Sequence, residues 1–428
     1  MKRIKIAVIG LGYVGLPLAV EFAKKYKVIG FDINPKRVEE LRKGIDETLE
    51  ITNDQLSDVL VENAKELVSN NIGLLPSSDI KDIALANFYI VTVPTPIDKH
   101  KKPDLSYLIS ASKMIATVLK KEDIVIYEST VYPGCTEEDC VPILEKYSEL
   151  KFNKDFFCGY SPERINPGDK INTISTIKKV TSGSTPEIGK KINNLYKSII
   201  TAGTHLAPSI KVAEASKAIE NAQRDVNISF VNELALIFDR MNIDTHEVLA
   251  AASTKWNFLP FKPGLVGGHC IGIDPYYLIY KSKESGYNPD LINTSRGINN
   301  YVPNFIVNKT KNILLNNNKV LNTCNILILG YSFKENCEDT RNTKVKDIVS
   351  GLELLDCRVD VYDPIITINH NNSVINPFKL SKKYDAFIVA VAHNEFLKYT
   401  LKDFNEISKE NLVLLDIKGI YNFSTWTL

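Results

Sequence analysis

The first 32 residues leave this chain little choice of opening fold. Ile4-Lys5-Ile6-Ala7-Val8-Ile9 is a short apolar run of the kind buried in a parallel sheet, and Gly10-Leu11-Gly12-Tyr13-Val14-Gly15 follows at once. Apolar periodicity from about Val14 to Lys24 predicts a helix, and Lys27-Val28-Ile29-Gly30-Phe31 predicts a second strand ending at Asp32. A bare G-x-G-x-x-G is a weak signal. Here it opens a helix directly after a strand, with an acid 22 residues past the first glycine, which completes the βαβ dinucleotide pattern. Gly10 makes the turn, Gly12 lets the backbone approach a pyrophosphate, and Gly15 lets helix and strand pack closely. Tyr13 and Val14 lie in the same turn and join the cofactor candidates. Asp32 is placed to bond a ribose 2′-hydroxyl and would repel a 2′-phosphate, so NAD is expected over NADP. Lys36 and Arg37 argue the other way unless they sit on a solvated helix start; Arg37 is kept as a cofactor contact.

Further strand-helix units follow. Phe88 to Val93 reads as a strand, then Pro94-Thr95-Pro96, a helix from about Leu105 to Leu119, the strand Ile124 to Tyr127 and the turn Glu128 to Gly134. Such alternation means a mostly parallel sheet with ligands beyond the carboxyl ends of its strands. Thr95 and Thr130 sit at two such ends, where a hydroxyl can reach a nicotinamide or a water, or simply serve its own turn. Phe157 to Tyr160 leads into Ser161-Pro162-Glu163-Arg164-Ile165-Asn166-Pro167-Gly168, where an acid between two prolines lies outside any regular element.

From Ser209 to Met241 there is neither Gly nor Pro, and the apolar pattern is helical. Such a helix is roughly 50 Å long and suits a connector or a subunit interface. Lys217 and Asn221 lie one turn apart on one face, with Glu214 a turn earlier. The pair could hold a developing oxyanion, or form an exposed polar stripe. A short helix from about Asp244 to Ala252 leads to an aromatic, proline-rich loop, Thr254 to Pro263, which includes Lys255 and Phe258 and could wrap a sugar and its phosphates. The loop delivers the chain to Gly267-Gly268-His269-Cys270-Ile271-Gly272-Ile273-Asp274, a thiol in a turn with three glycines. A thiolate presented there can attack a carbonyl; the turn alone fits a buried structural cysteine equally well. If a helix begins at Ile273, Cys270 and Asp274 share a face.

A further helix is expected to about Asn316, and Asn316-Asn317-Asn318 reads as a boundary. Asn325 to Lys334 then starts a second αβ pattern, continued by a helix near Lys344 to Leu355, strands at Arg358 to Asp363 and Ala386 to Ala390, and Leu412 to Asp416. It echoes the first without its G-x-G-x-x-G, so a mononucleotide is expected there, with Lys334 and Arg341 as phosphate contacts or solvated surface. The expected class is α/β: two Rossmann-like doubly wound domains joined by a long central helix, dividing as 1–206, 207–318 and 319–428.

A net charge of +1, from Lys+Arg 52 against Asp+Glu 51, gives no reason to expect a nucleic-acid or membrane-surface partner. Seven scattered cysteines without CxxC pairs are reduced, cytosolic usage rather than a disulfide framework, and six isolated histidines make no metal site. The apolar run from Ile4 to Ala23 imitates a signal peptide, but glycines and Pro17 interrupt it. No apolar segment reaches the ~18 residues of a membrane span. A soluble, cytoplasmic protein is expected.

Taken in order, Gly10 to Gly15, Pro94-Thr95-Pro96, Ser129-Thr130, Glu163, Ser216-Lys217…Asn221, Gly267-Gly268-His269-Cys270…Asp274 and Phe333-Lys334…Asp339-Thr340-Arg341 resemble the UDP-glucose/GDP-mannose dehydrogenase family over essentially the whole chain. Lys255-Trp256-Asn257-Phe258, Gly268 to Leu278 and Ser161 to Gly168 resemble its branch acting on UDP-N-acetylhexosamines; the UDP-glucose branch tends to read Asn-Pro-Glu-Phe-Leu at the last. The resemblance implies four-electron oxidation of the sugar C6 alcohol to a carboxylate with two NAD in turn, through a Cys270 thiohemiacetal and thioester, for surface polysaccharide synthesis. It implies Lys217 and Asn221 on the oxyanion, Asp274 as base with Thr130 placing a water, and Glu163 as a second acid/base. Glu163, Arg164, Lys217, Asn221, Lys255, Phe258, Gly267, Lys334 and Arg341 would meet the substrate, a UDP-GlcNAc or UDP-GalNAc. The arginine that the UDP-glucose branch sends to a neighbouring subunit has no clear match; Lys255 is nearest. His269 should point away from the nucleophile. A homodimer paired through the long helix is implied. UDP-ManNAc or UDP-glucose as substrate, a single-step alcohol dehydrogenase using one NAD, and a non-catalytic protein that binds NAD and UDP-sugar are the alternatives.

Overall fold

A computed structural model describes residues 4–165, 171–367 and 373–428. The chain divides into two compact units, one of residues 1–220 with 276–285, the other of 221–275 with 286–428. Buried apolar strands explain both. β1 (Lys5–Ile9), β2 (Lys27–Phe31), β3 (Gly73–Ser77), β4 (Phe88–Val91), β5 (Ile124–Tyr127), β6 (Phe157–Tyr160), β7 (Lys179–Gly183) and β8 (Thr204–Leu206) form an eight-stranded sheet in the order β3-β2-β1-β4-β5-β6-β7-β8. Neighbours are parallel except that β7 runs against β6. Ile6, Val8, Val28, Ile90 and Ile126 from four strands, with Leu16, Val20 and Phe22 from the helix Gly15–Ala23, are buried in one core. Helices on both faces of such a sheet bury continuous apolar strands, and the ligand crevice falls where strand order reverses, here between β1 and β4.

The second unit carries β9 (Asn325–Leu329), β10 (Arg358–Tyr362), β11 (Ala386–Val389), β12 (Leu414–Asp416) and β13 (Trp426–Thr427), all parallel, ordered β10-β9-β11-β12-β13. Its switch point lies between β9 and β11. The geometry repeats that of the first sheet. Gly10 and Gly330 have φ of +96° and +90°, each donates its N–H across 2.8 Å to the last residue of the adjoining strand (Phe31 and Tyr362), and the next residue in each case bonds an aspartate, Asp32 or Asp363. Two Rossmann-like units are therefore present, as the strand pattern predicts.

The long helix is Ile210–Met241, within one residue of expectation. In the second unit its Asn232 both accepts from Gly264 N–H at 2.7 Å and donates to Gly264 carbonyl at 3.1 Å, and donates to Asn299 on the helix Asp290–Asn316 at 2.8 Å. Arg296 and Asn299 of that helix both reach Asp225. These bonds tie together a buried polar seam, in which Asp225 Oδ2 is left over, and fix the approach to the cysteine turn. Among the described residues no helix is long and apolar enough to cross a membrane.

Candidate active site

At the first switch point the glycines do what their spacing predicts. A Cβ on Gly15 would stand 1.8 Å from the Gly10 carbonyl oxygen, so helix and turn touch through backbone. A Cβ on Gly12 would meet nothing within 4 Å, which leaves open space over the turn. The helix Gly15–Ala23 has no side-chain cap, so its first N–H groups, beside Tyr13 and Val14, can face a phosphate. Asp32 Oδ2 accepts from Leu11 N–H at 2.8 Å and Oδ1 from Asn34 N–H at 2.9 Å, which fixes the carboxylate at the strand end. Arg37 is not on a solvated helix start. It is buried, Nε donates to the Leu11 carbonyl at 3.0 Å and Nη2 to Asp46 at 2.7 Å, while Nη1 is buried without a partner. Lys36 is the solvated one, paired with Glu40 and Glu47. An open cradle, an uncapped helix and an orphaned guanidinium nitrogen beside a fixed acid fit an adenine dinucleotide.

The turns after β4 and β5 are tied together. Thr95 Oγ1 donates to the Thr130 carbonyl at 2.7 Å, Ser129 Oγ to the Val93 carbonyl at 2.6 Å, and Tyr277 OH to the Thr95 carbonyl at 2.8 Å. The Thr95 hydroxyl thus serves turn chemistry. Behind them lies a cluster that the sequence did not disclose. Lys179 Nζ sits 2.7 Å from Glu128 Oε2 and 2.6 Å from Glu163 Oε2, all three side chains buried, and Tyr196 OH donates to Glu128 Oε1. Glu163 Oε1 accepts from the Arg164 and Ile165 N–H groups at 2.6 and 2.8 Å. Burial opposes ionisation of Glu163, but Lys179 and the two N–H groups hold it below the ordinary glutamate range. Burial pushes Glu128 up to about 6, even against the Lys179 charge. Arg164 turns to Glu220 and the Lys178 carbonyl. Asn166, Pro167 and Gly168 lie outside the described residues.

Lys217 and Asn221 are both buried, which rules out an exposed polar stripe. Glu214, also buried, accepts from Gly134 and Thr136 N–H at 2.5 and 2.9 Å, and burial pushes its carboxyl up to about 7. In the second unit Asn221 Nδ2 donates to Asp274 Oδ2 at 2.5 Å. The helix begins at Asp274, one residue later than expected, and the Cys270 carbonyl accepts from Ile273 and Asp274 N–H at 3.0 and 2.8 Å. That turn is helical in spacing, so Cys270 and Asp274 do share a side of it. Cys270 is half-buried, unlike the buried cysteines 135, 140, 158, 324 and 357. Gly267 and Gly268 (φ +80°) press on the segment after β9: a Cβ would lie 2.8 Å from the Asn342 carbonyl oxygen or the Phe333 ring. His269 meets Asp339 at 3.5 Å and the edge of Phe333.

A cleft opens at the second switch point. It is lined by Ser332, Phe333, Lys334, Glu335, Thr343, Lys344 and Lys418, among others, so three lysines, of which Lys418 is paired with Glu335 at 2.7 Å, stand at the carboxyl ends of β9 and β11. Arg341 does not line it; its guanidinium is bidentate on Asp339. Lys344 and Lys418 were not anticipated, because lysines on loops are ordinary in sequence. Lys255 and Phe258 lie on a loop where Lys255 is exposed and Trp256 is 92% exposed.

Residues 4–200 match the NAD binding domain of the UDP-glucose/GDP-mannose dehydrogenase family, 211–301 its central domain and 327–423 its UDP binding domain. A UDP-N-acetyl-D-glucosamine 6-dehydrogenase of Pseudomonas aeruginosa is 54% identical over 98% of this chain and 97% of its own; one of Salmonella typhi is 51% identical over the same shares. The solved structure of a UDP-D-ManNAc dehydrogenase from Pyrococcus horikoshii superposes with a TM-score of 0.89 at 29% identity, covering 99% and 98% of the two chains. With three consecutive domains matched and identity above half along nearly the full length, the chain belongs to the UDP-glucose/GDP-mannose dehydrogenase family and is an NAD-dependent nucleotide-sugar dehydrogenase.

Proposed function

We propose that this chain oxidises the C6 hydroxyl of a UDP-N-acetylhexosamine, UDP-GlcNAc first, to the carboxylate, in cytoplasmic synthesis of a surface polysaccharide. The 54% identity to a UDP-N-acetyl-D-glucosamine 6-dehydrogenase carries the choice of sugar. On this reading the chain works as three segments: 1–206 binds NAD, 207–318 carries the cysteine turn, and 319–428 holds the UDP group on Lys334 and its lysine-lined cleft. Gly10, Gly12, Tyr13, Val14, Gly15, Asp32, Arg37, Thr95 and Thr130 serve the cofactor, which when bound accepts a hydride from C6.

Cys270 adds its thiolate to the aldehyde, and the thiohemiacetal holds it through the second oxidation. Lys217 stabilises the oxyanion by charge, and Asn221 by its amide. Asp274, with Thr130 placing a water, acts as base, and Glu163 is the second acid/base, on hydrolysis of the thioester. Arg164, Lys255, Phe258 and Gly267 meet the sugar and its phosphates, and Arg341 acts through Asp339. A homodimer is proposed through the long helix, where Val212, Ile219, Phe230, Ile237 and Met241 are all exposed and recur on one face. Incubation with UDP-GlcNAc, UDP-GalNAc, UDP-ManNAc and UDP-glucose, following NADH absorbance, tests the substrate. Two NADH per UDP-GlcNAc with little from UDP-glucose is expected; the reverse preference overturns the assignment.

A further inference from the structure

Lys179 lies on β7, 16 residues beyond Glu163 and 51 beyond Glu128, and is 3% exposed at its side chain. We infer that Lys179 is a positioning residue that keeps Glu163 ionised and fixed for hydrolysis of the acyl-enzyme, an inference that rests on the covalent route proposed above. The geometry separates this role from simple packing. A buried ion pair is weak support for stability, and one lysine with one glutamate would have closed the charge. Here one cation is divided between two carboxylates, leaving a net negative charge inside the sheet end. The two acids are also driven apart: Glu163 is clamped on both oxygens by Lys179 and two N–H groups, whereas Glu128 has Tyr196 and Lys179. Environments that split paired carboxyls in this way assign one of them to the charged form.

The charged groups around Glu163 are Lys179 from β7, Glu128 from the end of β5, and the Arg164–Glu220 pair from its own loop and the long helix; Tyr196, on the helix Pro186–Lys197, closes the far side of Glu128. Oε1 already accepts two N–H groups, but Oε2, on Lys179, keeps a second lone pair, so Glu163 can still take a proton. In the step inferred, a water oxygen bonds to the thioester carbon and the carbon–sulfur bond breaks. Cys270 leaves as thiolate, and the water's proton passes to Glu163 and then to solvent. No electrons change hands.

The test is single-turnover decay of the acyl-enzyme on Cys270, formed from UDP-GlcNAc and NAD and followed by rapid quench and intact-protein mass from pH 5 to 9. Lys179→Met should slow decay at least tenfold at pH 6 and recover toward pH 9, moving the acid midpoint from below pH 5 to about 7 or above. Lys179→Arg should restore it. If Lys179→Met does not fold, the double variant Glu128→Gln/Lys179→Met carries the test. It keeps the cluster's net charge, yet leaves Glu163 without its cation, so its midpoint should rise relative to Glu128→Gln alone. A rate lowered equally at every pH, or midpoints that coincide in the last two variants, overturns the role of Lys179. Absence of any acyl-enzyme in the unsubstituted protein removes the covalent route itself, and with it this inference.

Discussion

Asn221 donates its side-chain amide to Asp274 across 2.5 Å, with both side chains buried. One stands on the long helix and the other is the first residue of a helix 53 positions later. The bond fixes the direction of the carboxylate. The cysteine turn closes onto the same residue, through the Asp274 N–H that bonds the Cys270 carbonyl. Movement of Asn221 therefore reaches the thiol's backbone through a single carboxylate.

Asp274→Asn should lower kcat by about 10²–10⁴, the range of a lost general base, with NAD affinity changed less than twofold. Asn221→Ala should cost about tenfold. Because the two act as a unit, the double variant should be hardly slower than Asp274→Asn alone. Steady-state kinetics of the three variants checks this, and losses that multiply would mean that the residues act separately.

Cys270→Ser should form no acid, because a serine hydroxyl lacks the thiolate's nucleophilicity and a serine ester would hydrolyse more slowly than a thioester. Product analysis with NADH counting reads it out. Full uronic acid with two NADH per sugar from this variant would refute the thioester, and a variant as active as the parent protein would point to a single-step dehydrogenase.

Why some of this was legible in the sequence and some was not follows from where each signal lives. Gly10, Gly12, Gly15 and Asp32 act through the backbone within one βαβ unit, so their spacing carries their geometry. The long helix was legible because 32 residues without a helix breaker leave few alternatives. Lys179 and Glu128 gave no local signal: they meet only because β7 turns back against β6, which no short-range pattern encodes. The burial of Arg37 gave no local signal either. Its position at a helix start suggests solvent, and burial comes from Asp46 and the glycine turn folding over it.

Asp32→Asn should weaken NAD binding by about 10- to 100-fold, the equivalent of a charged hydrogen bond worth about 1.5–3 kcal/mol. NADP should lose less, since the repulsion of its 2′-phosphate is gone. The ratio of kcat/KM values for the two coenzymes measures it. An unchanged ratio would place the ribose elsewhere.

Asp363 should make the second unit acid-labile. Its Oδ2 accepts from Tyr331 and Ser332 N–H and lies 3.0 Å from His393 Nε2, while Oδ1 accepts from Ile365 and Ile366 N–H. Burial opposes the charge, but these bonds prevail and hold the carboxyl at about 2. An unfolded aspartate titrates near 3.9, so the native form binds fewer protons between those values. The stabilisation, about 2–3 kcal/mol at about 1.4 per pKa unit, is fully present above pH ~4 and is lost as pH falls through about 2. Asp363→Asn should therefore lower Tm clearly at pH 7, with the gap to the parent protein narrowing toward pH 2.5, because the unfolded aspartate is by then largely protonated while the native one still carries most of its charge. Trp256 and Trp426 both belong to the second unit, so tryptophan fluorescence follows its unfolding alone. A Tm gap that stayed constant from pH 7 to 2.5 would show that packing at this position, and not the charge on Asp363, supplies the stability.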